Sequence, residues 1–437
     1  MRRTSHLKEE RDTLGILAAH PVRLVPRHCL SILVVAVGVA ITIAIRVQLF
    51  GFHSGDLDNC ALVWCDHIKK FGLAQALKSG IIDYNPTYIY MLWLVTKLPF
   101  DRVVTIKLCS VLCDYVCAAA LASIVYRVHH SKLRAAVAAF ALLVAPTVVF
   151  NGALWGQCDM VYTAPLVVAL ATAFGKRPYA TTALFGLAIS VKLQAIFILP
   201  LLGDWVLRRE LPWRSLLLVP VAFLACLVPA WIAGYPFVDL LMIYPKQTQH
   251  YTALTLNAPS IFNWLPDDGR WLGSFGLWFA LAAIFMVSVA CLYSRKRTTT
   301  FLTTQQAMVF SCLTPFLLPH MHERYIFLGD VISILYAFLR PSRFWVAFLV
   351  IAASFTSYFW FLFGKLPVPL AIASVMLGVA CVFLTFDLLR SLYPGAFAAQ
   401  REQRVRVEYL AARGPSEPHC EPVGPGCPSP FLRVGEP

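Results

Sequence analysis

Four short runs of polar and aromatic residues interrupt an otherwise apolar sequence. They are residues 54–58, 83–90, 155–159 and 320–325, and Lys192 adds a charge within a further apolar stretch. Together they supply carboxylate, amide, imidazole, guanidinium and indole groups, which move protons or bind hydroxyls and phosphates. Their isolation within apolar sequence predicts one site at which they meet.

The first run supplies a candidate general base. Asp56 and Asp58 follow the apolar segment 29–50. A carboxylate at a membrane surface, held between apolar walls, can take the proton of an attacking hydroxyl group. The alternative is that both residues lie in a solvated loop.

The second and third runs have the composition of carbohydrate-binding sites. Asp83 and Tyr84 precede an Asn-Pro step, and Trp155, Gln157 and Asp159 surround a glycine at an expected external hairpin tip. Aromatic rings stack on sugar rings, while Asp and Gln bind hydroxyls. An interfacial aromatic belt and a polar cap between two spans remain the alternatives.

Lys192 and Gln194 lie inside the apolar stretch 179–207. A cation within a membrane is costly and by default suggests a functional site, and the phosphate of a lipid is a suitable partner. Snorkelling to the interface, or pairing with a carboxylate such as Asp114, is the alternative.

The fourth run places two histidines and two charged residues at the end of an expected span. Arg324 can bind a phosphate through two parallel hydrogen bonds, and His320 or His322 can donate to a leaving phosphate. The His-x-His-Glu pattern, which ends at Glu323, also offers metal ligands. On a helix the two histidines face different sides, so a divalent metal is an alternative that the pattern does not favour.

Composition predicts an all-α, polytopic membrane protein. The 437 residues are 59% hydrophobic and 14% charged, whereas a soluble domain carries roughly 25% charged residues. Because a spanning helix needs about 20 apolar residues, the apolar runs predict about 12 spans. The net charge of +14 fits basic cytoplasmic loops. No basic run alternates with aromatics, which argues against nucleic-acid binding.

The order of basic and polar segments predicts three regions and one active face. Residues 1–28 are expected to be a cytoplasmic segment, 29–390 the membrane domain with both ends inside, and 391–437 a disordered cytoplasmic tail. We expect an interfacial or re-entrant helix within 86–100, and two short helices broken near Lys192. The basic clusters then fall on the cytoplasmic side and the four polar runs on the other.

These runs resemble motifs of the GT-C superfamily of polytopic glycosyltransferases. The greatest similarity is to the bacterial integral-membrane family related to the second mannosyltransferase of GPI-anchor assembly. The matching residues are Ser54-Gly55-Asp56, Trp64, Asp66, Ile68-Lys69, Asp83 to Tyr90 with Thr87 in place of a proline, Trp155 to Asp159, Lys192 to Gln194 with Leu193 in place of a proline, and Met321 to Tyr325. The resemblance covers roughly residues 50–330.

The resemblance implies transfer of a sugar, usually mannose, from a polyprenyl-phosphate donor on the non-cytoplasmic face of a bacterial inner membrane. The acceptor is left open between a glycan, a lipid and a protein, we expect no cofactor, and the resemblance makes Asp56 the expected base. We expect Lys192, His322 and Arg324 to bind the donor phosphate. The expected substrate-binding residues are Asp66, Asp83, Tyr84, Trp155, Gln157, Asp159, Gln194, His320 and Glu323. A multi-span transporter or lipid flippase is the main rival, but the sequence shows no internal repeat of the kind transporters have.

Overall fold

The computed structural model describes residues 27–248, 251–266, 270–294 and 296–396. Nearly all of the expected N-terminal segment and of the expected tail lies outside these ranges. The α-helices are α1 (Arg27–Leu49), α2 (Leu62–Phe71), α3 (Leu73–Lys78), α4 (Pro86–Val95), α5 (Arg102–His129), α6 (Lys132–Val144), α7 (Pro146–Val149), α8 (Asp159–Phe174), α9 (Pro178–Val191), α10 (Pro200–Leu207), α11 (Leu218–Ile232), α12 (Phe237–Leu241), α13 (Ile243–Thr248), α14 (Arg270–Tyr293), α15 (Thr300–Leu317), α16 (Phe327–Leu339), α17 (Phe344–Phe363) and α18 (Leu370–Leu392).

Shorter helical turns and one small sheet connect these helices. π-Helices cover Leu57–Ala61 and Phe150–Trp155. The 3₁₀-helices are Leu193–Ile198, Trp213–Leu217, Ile261–Trp264 and Pro341–Arg343. Strands β1 (Thr255–Leu256) and β2 (Met321–His322) pair in parallel, with Leu256 opposite His322. The all-α prediction is therefore right apart from this two-residue pairing.

Local sequence signals explain where several helices begin and end. The Asp101 side chain accepts a hydrogen bond of 2.9 Å from the Val104 amide at the start of α5, which satisfies one of the free amides of the first turn. Pro86 and Pro178 occupy the first turns of their helices, where the missing amide costs nothing. Gly364 ends α17 in the left-handed conformation.

The described helices include five that are long and apolar enough to cross a bilayer. They comprise α5, residues 213–232, residues 271–293, residues 341–363 and α18. A sixth candidate joins α6 to Pro146–Trp155 with a bend of 53°, and six further apolar helices are shorter. The chain is thus a helical membrane protein. The total of about 12 spans and the direction of each remain predictions.

The core of the bundle forms around α5, α8, α9 and α11. Helix α8 packs against both α5 and α9, and α9 packs against α11. Gly186 of α9 lies directly against the carbonyl group of Val219, where a Cβ atom would not fit. A glycine at this position lets the two backbones approach closely, as in many membrane helix pairs.

The segment between α1 and α5 is largely helical, so Asp56 and Asp58 do not lie in an open loop. One face of the Leu57–Ala61 turn and α2 is buried, with Leu57, Trp64, Cys65 and Ile68 in a separate apolar cluster. These spacings match a helical repeat. The segment therefore folds back onto the bundle and carries Asp56 with it.

Basic helix ends gather at one end of the bundle. His129, at the end of α5, donates a 2.9 Å hydrogen bond from Nε2 to the carbonyl of Phe338, at the end of α16. Arg343 bonds Asp387 at 2.9 Å in the same region. Arg324 precedes the start of α16 and therefore lies at the opposite end. This matches the predicted separation of basic and polar segments, while the membrane side of each end stays a prediction.

Candidate active site

Five charged side chains from separate parts of the chain meet at one end of the bundle. They are Asp56, Asp159, Lys192, Glu323 and Arg324, hereafter the charged cluster. Four of them are almost fully buried, with exposed fractions of 1% for Asp159, 5% for Lys192, 2% for Glu323 and 9% for Arg324. Buried charges are stable only when paired, and these side chains pair with one another.

Arg324 is the centre of the charged cluster. Its Nη1 lies 2.7 Å from Oε1 of Glu323 and 3.4 Å from Oδ2 of Asp56, and its Nε lies 4.0 Å from Oδ2 of Asp159. The guanidinium also lies over the ring of Trp155, 5.5 Å from its centre, which is a favourable cation–π distance. One arginine thus links three carboxylates that are far apart in the sequence.

Asp56 is the most accessible carboxylate of the charged cluster, with 26% of its side chain exposed. Its Oδ2 accepts hydrogen bonds from Nε1 of Trp155, at 3.1 Å, and from Nε2 of Gln157. Arg324 approaches the same oxygen. Among the described residues all three contacts involve Oδ2, so Oδ1 is the oxygen left for a substrate hydroxyl.

The turn that carries Trp155 and Gln157 is buried. Trp155 is 0% and Gln157 6% exposed. The π-helix Phe150–Trp155 ends at Gly156, whose φ of +81° is the left-handed conformation that glycine tolerates. A second π-helix starts directly after Asp56. π-Helical turns are often found at functional sites, where they redirect side chains.

Asp159 and Lys192 form the buried side of the charged cluster. Lys192 donates to Oδ1 of Asp159, and Asn151 donates to Oδ2 at 2.7 Å. The expected helix break is present, because α9 ends at Val191 and Lys192 is extended, with φ −154° and ψ 138°. Lys192 therefore pairs with Asp159 and not with Asp114.

Tyrosine rings surround the ammonium group of Lys192. Its Nζ lies 6.0 Å from the centre of the Tyr84 ring and 5.8 Å from that of Tyr325. Tyr84 also packs against Trp64, with ring centres 5.2 Å apart. Tyr84 thus contacts both the segment between α1 and α5 and the charged cluster.

His322 lies beside the charged cluster on β2, which extended pairing with β1 holds in place. Its ring packs against those of Tyr251, at 4.7 Å, and Tyr325, at 5.1 Å. Burial and the positive charges of Arg324 and Lys192 lower the pKa of His322 to about 2. His322 is therefore a neutral imidazole that can donate one hydrogen bond, beside two cations.

Glu323 is the buried carboxylate next to Arg324. Burial raises the pKa of Glu323, and the charge of Arg324 partly opposes this rise. Ser357 donates to the Glu323 carbonyl at 2.8 Å, and the Glu323 amide donates to the Leu256 carbonyl at 3.0 Å. These bonds fix the backbone and so set the direction of the Arg324 side chain.

Three expected site residues have no direct contact with the charged cluster among the contacts of the described residues. Asp66 is 65% exposed and pairs with Arg102. His320 has φ +61° and donates from Nδ1 to the Ala253 carbonyl at 2.7 Å. Gln194 is buried at 8% exposure, on the 3₁₀-helix after Lys192.

Asp83, another expected site residue, is exposed and lies between α3 and α4. Its carbonyl group accepts from Gln247. Burial raises the pKa of Cys60, and the charges of Asp56 and Asp83 raise it further. Both carboxylates are therefore near Cys60.

A metal site was an alternative for residues 320–323. Among the residues that the structure describes, no three His, Cys, Asp or Glu side chains form a group that could hold a metal ion. His320 uses one ring nitrogen on a carbonyl group, and the carboxylates of the charged cluster are paired with Arg324 or Lys192. That the protein needs no metal stays a prediction.

Sequence reasoning missed one polar face of α5, of which it named only Asp114, as an alternative partner of Lys192. Lys107, Ser110 and Asp114 lie at positions i, i+3 and i+7, and are 0%, 1% and 0% exposed. They form a polar stripe along a spanning helix, which was detectable because polar residues in such helices are rare. Asn151 was also missed, and an amide at a helix bend carries no comparable signal.

A comparison with protein families shows the family of the chain. The sequence model of glycosyltransferase family 87 matches residues 83–315, more than half of the protein. The chain belongs to glycosyltransferase family 87. The matched part of this family 87 member includes residues 155–159 and Lys192, while Asp56 precedes it and Arg324 follows it. A comparison with curated proteins finds no match.

Family 87 membership makes the protein a membrane glycosyltransferase, as predicted. It favours an enzyme over the transporter and flippase alternatives. The resemblance to the family related to the second mannosyltransferase of GPI-anchor assembly is a finer statement, and it stays a prediction.

Proposed function

We propose that this family 87 glycosyltransferase transfers a sugar, mannose in the first instance, from a polyprenyl-phosphate donor to an acceptor hydroxyl. The observation that carries the proposal is the environment of Asp56. This carboxylate is partly exposed, its Oδ2 is held by Trp155 and Gln157, and its Oδ1 faces no partner among the described residues. Such a carboxylate is oriented to act as a general base.

The proposed reaction is an inverting displacement. Oδ1 of Asp56 takes the proton of the acceptor hydroxyl while the oxygen attacks the anomeric carbon. The bond between that carbon and the phosphate oxygen breaks, and its electron pair goes to the phosphate. The leaving polyprenyl phosphate gains one negative charge, and Asp56 becomes a neutral acid.

The cations of the charged cluster offset the charge that grows on the phosphate. Arg324 is bound to Asp56 before the reaction, 3.4 Å from it. When Asp56 takes the proton this attraction weakens, and the guanidinium is available to the leaving phosphate. Lys192 adds a second positive charge, and neutral His322 donates a hydrogen bond. Preorganised donors of this kind account for much of the catalysis of charged transition states.

The remaining residues of the polar runs hold the base and the substrates. Trp155 and Gln157 orient Asp56, and Asp159 orients Lys192. We place Tyr84 and Asp83 on the path by which the acceptor enters. We place Asp66, Gln194, His320 and Glu323 in supporting roles around the substrates, as the family resemblance implies.

We propose the non-cytoplasmic face of a bacterial inner membrane as the place of reaction. The charged cluster lies at the end of the bundle opposite Arg343 and His129. Basic residues favour the cytoplasmic side of membrane proteins. A lipid-linked donor suits this face because it arrives through the bilayer and needs no soluble nucleotide-binding domain.

Transfer from defined donors tests the proposal. Purified protein is incubated with radiolabelled polyprenyl-phosphate mannose, polyprenyl-phosphate glucose or GDP-mannose, together with glycan, lipid and peptide acceptors. We expect label transfer from a polyprenyl-phosphate sugar and none from the nucleotide sugar. Transfer from GDP-mannose alone would overturn the donor class, and efficient transfer of glucose in preference to mannose would overturn the sugar.

A further inference from the structure

The polar stripe on α5 contacts both chain segments that build the Asp56 environment. Lys107 of this stripe reaches the end of α1, and Ser110 donates a 2.6 Å hydrogen bond to the carbonyl of Gln157. Asp114 bonds Arg46 of α1 at 2.8 Å. A single helix face therefore fixes the segment that precedes Asp56 and the turn that donates hydrogen bonds to it.

Of the three residues in the polar stripe, Lys107 contacts the backbone closest to Asp56 along the chain. Its ammonium donates to the carbonyls of Leu49, Phe50 and Phe52, at 3.4, 3.0 and 2.5 Å. These carbonyls lie at and just beyond the end of α1, where backbone acceptors lack partners within the helix and a positive charge is favourable. The three donors of one ammonium group are thus matched by three acceptors.

The stem of Lys107 also touches the turn on the other side of Asp56. Its Cγ and Cε lie 3.6 Å from the position that a Cβ atom would take at Gly156. Ser54, two residues before Asp56, donates to the Trp155 carbonyl at 2.7 Å. Lys107 therefore lies between the two backbone segments whose separation decides whether Trp155 and Gln157 can reach the carboxylate.

We propose that Lys107 is a positioning residue for the transfer reaction, which holds residues 49–52 through three carbonyl groups so that Asp56 stays in reach of Trp155 and Gln157. The inference rests on the proposed role of Asp56 as the base. Lys107 itself contacts neither substrate. Its effect on the rate comes from the placement of Asp56, and small displacements of a catalytic group cost up to about 100-fold.

Three variants at one position test this inference. Lys107→Met keeps the unbranched stem beside Gly156 and removes all three hydrogen bonds. Lys107→Gln keeps a single donor group on a shorter side chain, and Lys107→Arg keeps a cationic donor. Lys97→Met is the control, because Lys97 is an exposed lysine at the same end of the bundle. All four proteins are assayed for kcat and for KM of donor and acceptor, and hydrogen exchange is measured over residues 49–58.

We expect kcat of Lys107→Met to fall about 10- to 100-fold with KM values within about threefold of wild type. Lys107→Gln should lose less, and Lys107→Arg should recover to within about threefold of wild type. Amides in residues 49–58 should exchange faster in Lys107→Met and at wild-type rates in Lys97→Met. If Lys107→Met does not fold, Lys107→Gln carries the same comparison.

Wild-type kcat together with unchanged exchange in Lys107→Met or Lys107→Gln would overturn the proposal. A loss confined to KM would overturn it too, since a displaced base lowers kcat. If the wild-type protein transfers no sugar, the proposed function fails, while faster exchange over residues 49–58 would still support the contact of Lys107 with this segment. The two failures are thus distinguishable.

Discussion

Replacement of Asp56 by asparagine removes the proton acceptor and keeps the shape of the side chain. The amide oxygen of Asp56→Asn can still accept from Trp155 and Gln157, which bond a single oxygen of the native carboxylate. What is lost is the negative charge beside Arg324 and the ability to take a proton. The variant therefore separates chemistry from folding.

The magnitudes of these two losses differ. The attraction between Asp56 and Arg324, at 3.4 Å, is about 5 kcal/mol at an effective dielectric constant of about 20. Desolvation, the 26% exposure of Asp56 and the two other carboxylates that stay near Arg324 reduce the net loss of stability to about 1–3 kcal/mol. Loss of a general base lowers rates by about 10²- to 10⁴-fold, which corresponds to roughly 3–5 kcal/mol of activation free energy. The effect on kcat should exceed the effect on folding.

The assay is transfer of radiolabelled sugar from the polyprenyl-phosphate donor by purified protein. We expect kcat of Asp56→Asn to fall at least about 100-fold, with an unchanged elution profile in detergent. The donor KM should stay the same or decrease, because Arg324 loses a competing carboxylate.

Asp58→Asn is the matched control. Asp58 lies in the π-helix that starts directly after Asp56, and its side chain is 42% exposed, but it bonds His53 at 2.6 Å instead of joining the charged cluster. The control loses the same formal charge and should keep kcat within about threefold of wild type. Activity of Asp56→Asn equal to that of Asp58→Asn would refute the reasoning about the base.

Three further predictions concern the phosphate-binding side and the buried turn. Lys192→Met should raise the donor KM about 10- to 100-fold in the transfer assay, and an unchanged donor KM would contradict its phosphate role. His322→Gln should slow transfer yet keep both limbs of the pH–rate profile, because burial and the charges of Arg324 and Lys192 lower the pKa of His322 to about 2; loss of a limb would show that His322 titrates. As the pH falls, His322 takes up a proton in the unfolded chain before it does so in the folded protein. The folded state should therefore lose stability below about pH 6.5, and His322→Gln should lose less stability over the same pH range. Gly156→Ala should lower the thermal midpoint of unfolding, because an alanine at φ +81° adds about 1–2 kcal/mol of strain. Gly203→Ala should leave the midpoint unchanged, since the space around Gly203 is open.

Much of the fold follows from composition and spacing. Long apolar runs have one stable solution in lipid, the helix, because every backbone polar group must then be paired internally. The short helix Pro86–Val95 and the break at Lys192 are also readable from the sequence. An extended residue with a charged side chain interrupts an otherwise helical apolar stretch there. Whether all the shorter helices cross the membrane is not decided by their composition, since length alone leaves interfacial and spanning positions open.

The charged cluster was predictable in its members but not in its pairings. Sequence spacing shows which face of a helix a residue occupies and gives no information on which distant helix will face it. Asp56 and Trp155 are 99 positions apart and share a hydrogen bond. Asp66, only ten residues after Asp56, turns to Arg102 instead. The sequence placed both in the site, Asp56 as the base and Asp66 as a substrate-binding residue.

The sequence by itself determined that the protein is a helical membrane protein with carboxylates, cations and aromatics confined to a few short runs, because lipid excludes unpaired polar groups elsewhere. Only the tertiary structure decided that Lys192 pairs with Asp159, that His322 lies on a strand and is neutral, and that Lys107 supports the segment before Asp56. These outcomes depend on contacts between segments far apart in the chain. The free energy of such contacts comes from burial and pairing across the bundle, which local propensity does not encode.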